Sequence, residues 1–120
     1  RELKDFKIIK SWIVRQFKNE YNPAHHHTGH ISGVGYLKVP DNLGTTSQKN
    51  KNVNQNGKLE LIDSSPKLMC RGNYIIKPEV GDFYLFPAYL LHTVYPFSGS
   101  DDERRSVSFN AALDPLAASL

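Results

Sequence analysis

The sequence is short of several things, and each shortage narrows what the chain can be. No apolar run approaches the ~20 residues that a bilayer-spanning helix needs, so no membrane helix is expected. There is no charged-then-apolar leader with a small-residue cleavage site, and a cytoplasmic location is expected. The first residue is Arg1 rather than Met, from which a missing N-terminal piece is expected. A single cysteine, Cys70, rules out an internal disulfide and suits a reducing compartment. Its expected place is that of a small buried apolar side chain. Acidic residues are only slightly outnumbered by basic ones, giving a net charge of +3 and a pI near 9. The basic residues are dispersed (Lys4, Lys7, Lys10, then Lys49, Lys51, Lys58) and are not interleaved with aromatics, so nucleic-acid binding is not expected. Internal repeats are also lacking.

What is present is an ordinary folding composition, with 39% hydrophobic and 22% charged residues over 120 positions. That length suits one domain, residues 1–120, with a modest core. The apolar pattern is mostly of period two and is punctuated by Gly, Pro, Asn and Asp, which signals short strands. Strands are predicted at Ile8–Phe17, Ile31–Val39, Lys58–Ile62, Lys67–Lys77, Phe83–Pro87, Leu91–Tyr95 and Arg104–Ala112. Ahead of them, Glu2–Lys10 forms a short helical or extended segment. Asn22-Pro23 is a breaker, Pro78–Asp82 is a turn in which Gly81 takes a positive φ, and Asp114–Leu120 is a frayed tail. Gly33 and Gly35 leave room for close approach of backbone or ligand. Residues Pro40–Gly57 are polar and Asn-rich, and are expected to form a loop at the rim of the site. The fold class is all-β, a jelly roll or double-stranded β-helix. Trp12, Phe83, Phe86 and Phe109 are the core candidates.

Chemistry is concentrated in the histidines. His25, His26, His27 and His30 fall within six positions, and His92 stands far from them. On an extended strand, residues i and i+2 point to one face, so His25 and His27 point together and His26 points away. A third imidazole from a distant strand, His92, can close a metal site, imidazole being the commonest ligand for zinc, copper and iron. His30 is open between a place near the pocket rim and a further ligand, the rim being the expectation. In Arg104-Arg105-Ser106-Val107-Ser108, period two puts Arg104, Ser106 and Ser108 on one face, toward a polar pocket. Val107 and Phe109 lie on the other face, against an outer sheet. A register shift of one would exchange Arg104 for Arg105.

Three segments, NPAHHHTGHISGVGYL (Asn22–Leu37), GDFYLFPAYLLHTVYP (Gly81–Pro96) and ERRSVSFN (Glu103–Asn110), occur in an order and spacing that resemble the 2-oxoglutarate/Fe(II)-dependent oxygenase superfamily. More narrowly, they resemble a small, prolyl-hydroxylase-like branch that also occurs in marine cyanophages, with the pattern NPxHxH…SGVxYL…GxxxxFPxxLxHxVxP…ERxSxSFN. The resemblance extends from about Trp12 to Asn110. It implies a jelly roll, Fe(II) held by His25, His27 and His92, and 2-oxoglutarate as co-substrate with its far carboxylate on Arg104. Arg104 lies twelve residues beyond His92, and its planar fork suits a carboxylate. Ser106 lines the same pocket, and Tyr36 either donates its hydroxyl to the co-substrate or packs. Three protein ligands leave three positions for a bidentate co-substrate and O₂.

The implied partners are O₂ and a primary substrate, peptidyl or small-molecule, in the cytoplasm (the host's, where a phage carries the gene); a homodimer is compatible with the class. Most of the superfamily has a carboxylate where this chain has His27, so the Fe(II) site is about one charge unit more positive than usual. Asp41, Asp63 and Glu60 are the other oxygen donors, none at the expected spacing. Two rival readings remain. A three-histidine cupin-type dioxygenase would not use 2-oxoglutarate, but the glutamate that usually follows the cupin HxH is absent, Ile31 and Ser32 standing there. A non-catalytic metal-binding jelly roll is the third reading. Substrate specificity is assigned to Pro40–Gly57 and the strand edges around Tyr89 and Tyr95.

Overall fold

Eight strands account for the regular structure in the computed structural model, which describes residues 2–45, 52–63, 65 and 68–114. They are β1 (Phe6–Gln16), β2 (Asn22–His25), β3 (Ile31–Lys38), β4 (Leu59–Ile62), β5 (Asn73–Ile76), β6 (Phe83–Pro87), β7 (Leu91–Val94) and β8 (Arg104–Leu113). They form two four-stranded sheets, ordered β1-β8-β3-β6 and β2-β7-β4-β5, with antiparallel pairing throughout. Successive strands alternate between the sheets from β1 onward, except for the β4–β5 hairpin pair. This is the expected jelly roll. No helix occurs among the described residues, and the N-terminal segment is extended.

Most strand boundaries follow the apolar alternation to within two residues, and β6 matches its prediction residue for residue. Two do not. The segment around Asn22-Pro23 is a strand rather than a breaker. β2 is the edge strand of its sheet, where a proline's missing N–H costs no ladder hydrogen bond. β5 keeps only Asn73–Ile76 of the predicted Lys67–Lys77: Leu68 and Met69 form a turn, with Met69 at φ 62°, and Lys67 lies outside the described residues. Cys70 follows this turn and is exposed, not buried as expected.

The buried apolar cluster is small: Leu59, Leu61 and Phe86, with Val34, Ile76, Leu90 and Val94 packed against it. Burial of each large side chain stabilises by roughly 1.5–3 kcal/mol. It sits between the sheets and leaves the adjoining space hollow. Of the other core candidates, Phe83 is 50% exposed on the outer face of the larger sheet.

That outer face also corrects the expectations for Gly33, Gly35, Val107 and Phe109. Among the described residues no second sheet covers it. A Cβ on Gly33 would lie 2.5 Å from the Phe109 ring, and one on Gly35 would lie 2.4 Å from the Phe83 ring. The close approach that these glycines permit is therefore of aromatic rings laid across β3. Phe83 and Phe109 stack there at 5.7 Å, and Phe6 meets Phe109 edge-on at 6.1 Å.

The turn before β6 is as expected, with Gly81 at φ 93° and Asp82 N–H donating to the Glu79 carbonyl. Asp114 is not frayed. Its Oδ1 accepts the backbone N–H groups of Lys4 and Asp5 at 2.7 and 2.8 Å. The remainder of the predicted tail, residues 115–120, lies outside the described residues, as do residues 46–51 of the predicted rim loop.

Candidate metal centre and carboxylate pocket

His25 and His92 are direct cross-strand partners on β2 and β7, and His27 follows two residues beyond His25, on the same side. The backbone N–H of His27 donates to the Ala88 carbonyl at 3.1 Å, and Ala88 returns the bond by donating to the His30 carbonyl at 2.9 Å. The histidine loop is thus clamped to the β6–β7 connection, which leads into the strand that carries His92. One ligand nitrogen from each of His25, His27 and His92 lies within 4.8 Å of the others, a grouping that could hold a metal ion. His27 Nε2 and His92 Nε2 are 3.0 Å apart. Two nitrogens each ~2.1 Å from one ion, at right angles, stand about 3 Å apart.

The ring orientations are set from behind. His25 Nδ1 donates to the Pro23 carbonyl at 2.6 Å, and His92 Nδ1 donates to the Leu90 carbonyl at 3.1 Å. Both contacts place the proton on Nδ1 and leave Nε2 free as a donor atom, the usual support for a ligating histidine. Burial pushes the His92 pKa down to about 4, with the neighbouring imidazoles adding to the effect. The His27 pKa is lowered by burial first, then by His25 and His26. His27 and His92 are therefore held toward the neutral, metal-binding form. Trp12 packs against His27 with ring centres 5.5 Å apart, and Phe86 meets His92 edge-on at 5.2 Å.

His26 is exposed, as its alternation predicts. His30 is placed differently from the pocket rim expected for it. Its Nδ1 accepts the Leu113 backbone N–H at 2.8 Å, so it ties the loop to the end of β8. Among the described residues no carboxylate joins the three histidines. Glu60 instead accepts the Tyr95 hydroxyl at 3.1 Å.

The three imidazoles open into a cavity of about 180 Å³ between the sheets, and Tyr36, Arg104, Ser106 and Ser108 line it as well. β3 and β8 supply this wall because Tyr36 and Ser106 are register partners and Arg104 is two residues from Ser106 on the same face. Arg104 is only 3% exposed and its guanidinium lies over the Tyr36 ring, 5.1 Å from the centroid. Its Nε and the Tyr36 hydroxyl are both buried without a hydrogen-bond partner among the described residues. Such groups are costly to leave unmet. Burial raises the Tyr36 pKa, an effect that Arg104's charge opposes, and burial lowers that of Arg104. Ser32 Oγ donates to Asn110 Oδ1 at 3.3 Å, joining β3 to β8.

Arg105, the alternative in the other register, faces outward and pairs with Glu103, which also accepts from Arg15 at 2.7 Å. None of the described residues of Pro40–Gly57 lines the cavity, so this part of the predicted rim loop stands away from it. Tyr89 and Tyr95 do not line it either. Sequence reasoning missed Gln16, whose side chain accepts a hydrogen bond from Arg104. The available signal was phase: Trp12, Val14 and Gln16 alternate on one face, and a polar residue continuing two apolar ones points into the same interior.

A jelly roll thus brings three histidines and a buried arginine together in one cavity, an arrangement that could hold a metal ion beside an anion. A family model described as "Putative 2OG-Fe(II) oxygenase" matches residues 10–110, and the chain belongs to that family. Among curated proteins, none matches the chain.

Proposed function

We propose that this protein is an Fe(II)- and 2-oxoglutarate-dependent dioxygenase that hydroxylates a primary substrate. The observation that carries the reading is the pairing, in one cavity, of a three-imidazole cluster with an arginine whose Nε has no partner among the described residues. A metal alone would account for the histidines but not for the buried cation. A small dianion with one end at the metal and the other at Arg104 accounts for both.

In this reading His25, His27 and His92 hold Fe(II), and their Nδ1 contacts or stacking partners keep the rings aimed. Arg104 and the Tyr36 hydroxyl take the far carboxylate of 2-oxoglutarate, with Ser106 beside them. Three neutral imidazoles leave the metal's double positive charge uncompensated, which favours a dianionic co-substrate. The iron supplies oxidation by O₂ coupled to decarboxylation of 2-oxoglutarate to succinate. The protein supplies orientation, a partly dry cavity and the buried positive charge. Trp12, on the flank of His27, lines the same cavity.

The test is to add Fe(II) and then 2-oxoglutarate to the protein under anaerobic conditions, record the visible charge-transfer band, admit oxygen and assay succinate. The band should require both additions and succinate should require oxygen. Loss of neither signal on replacing Arg104 by Ala, or absence of both from the metal-loaded wild type, would sink the reading.

A further inference from the structure

Gln16, the last residue of β1, stands directly opposite Arg104, the first residue of β8. It is 6% exposed, and Arg104 Nη1 donates to its Oε1. The other end of the amide is committed too, because Nε2 donates to the Glu20 carbonyl at 2.8 Å and faces the Tyr95 carbonyl at 3.5 Å. Turning the amide over would set its oxygen against two carbonyl oxygens and its NH₂ against a guanidinium. Its orientation is therefore fixed, with the acceptor toward Arg104.

A buried arginine ordinarily meets a carboxylate. Here the nearby carboxylates are engaged elsewhere. Glu103 is held by Arg15 and Arg105 on the other face of β8, and Glu20 accepts the Phe17 backbone N–H at 3.1 Å. An amide anchors one N–H of the guanidinium without cancelling its charge. We infer that Gln16 is a positioning residue, one that holds Arg104 in place while leaving its positive charge for an anionic ligand, and so makes the cavity select dicarboxylate over monocarboxylate 2-oxo acids.

The inference rests on the proposed function, and one experiment separates the two. Protein loaded with Zn(II), which is redox-inert, is titrated by calorimetry with 2-oxoglutarate and with 2-oxopentanoate, which has the same chain but no far carboxylate. Wild type should bind 2-oxoglutarate more tightly by about 100-fold, the scale of a charge-assisted bidentate contact in a buried site. Gln16→Glu keeps an acceptor for Arg104 but neutralises it. It should lose most of that 100-fold while binding 2-oxopentanoate as wild type does. Gln16→Leu removes the acceptor without adding charge and should lose about 10-fold for 2-oxoglutarate alone.

A purely structural role for Gln16 predicts instead that Gln16→Glu, whose second oxygen would meet the Glu20 and Tyr95 carbonyls, weakens both acids alike; that result, or unchanged binding of 2-oxoglutarate, overturns the inference. Should Gln16→Glu fail to fold in a thermal melt, Gln16→Leu decides: selective loss of 2-oxoglutarate supports the inference, and unchanged affinity overturns it. If wild type binds neither acid, the proposed function falls and the inference with it.

Discussion

The Nε2 atoms of His27 and His92 face each other at 3.0 Å across a sequence separation of 65 residues. In a metal-free protein they share at most one proton, and a metal ion would take that proton's place. Replacing His27 by Ala is expected to weaken Zn(II) or Co(II) binding by at least 10-fold, since one of three ligands is lost. Replacing the exposed His26 by Ala is expected to leave it unchanged. Competition against a chromophoric chelator measures both, and equal affinities for the two variants would remove His27 from the ligand set.

Acid should destabilise the metal-free protein through His92. Its folded pKa is about 4, against an ordinary 6.5, so the unfolded chain takes up a proton that the folded chain refuses. The stability associated with the neutral imidazole is fully present above about pH 6.5 and is lost as pH falls toward 4. The loss amounts to roughly 3 kcal/mol if His92 is wholly responsible. Urea unfolding at pH 7 and pH 4.5 reads it. A His92→Gln variant should show a shallower decline over this interval, and an identical decline would refute the attribution.

Arg104→Lys preserves the charge but not the fork that donates to Gln16 and lies over Tyr36. A lysine ammonium is a point charge with a different reach. The variant is expected to bind 2-oxoglutarate at least 10-fold more weakly while its metal affinity stays at the wild-type value, because the histidines are untouched. Parallel calorimetric titrations with metal and with 2-oxoglutarate would show the split; metal affinity falling in step would indicate a general disturbance of the cavity.

Glycine within a strand ordinarily weakens it, so Gly→Ala would be expected to stabilise by roughly 0.5–1 kcal/mol. At Gly33 the sign should reverse. The new methyl would meet the Phe109 ring at 2.5 Å and displace it from Phe83, at a cost of roughly 1–2 kcal/mol. In a Phe109→Ala background the same substitution should become neutral or stabilising. Chemical denaturation of the four proteins in this cycle tests the coupling, and additivity of the two changes would contradict it.

The fold and the centre of the site were largely legible because both rest on local rules. Alternation put His25 and His27 on one side and Arg104 on the inward face. The length of each apolar run located most strands. What escaped the sequence depended on context. Pro23 reads as a breaker until β2 is known to be an edge strand. Phe83 reads as core until the outer face of its sheet is found to be uncovered. Cys70 reads as a small apolar side chain until the chain turns beside Met69. Gln16 drew no attention because its meaning depends on standing opposite Arg104, a pairing that only the β1–β8 register creates.

Strand β2 is four residues long, occupies a sheet edge and meets β7 at only two register positions, one of which is the His25–His92 pair. An ion bound by those two imidazoles would act as a rivet at the end of a short seam. Metal occupancy should therefore be written into the amide-exchange rates of residues 22–30, with the seam opening from its metal end when the ion leaves while the β1–β8 pairing stays protected. The candidate metal centre and the short β2–β7 seam would then open and close together.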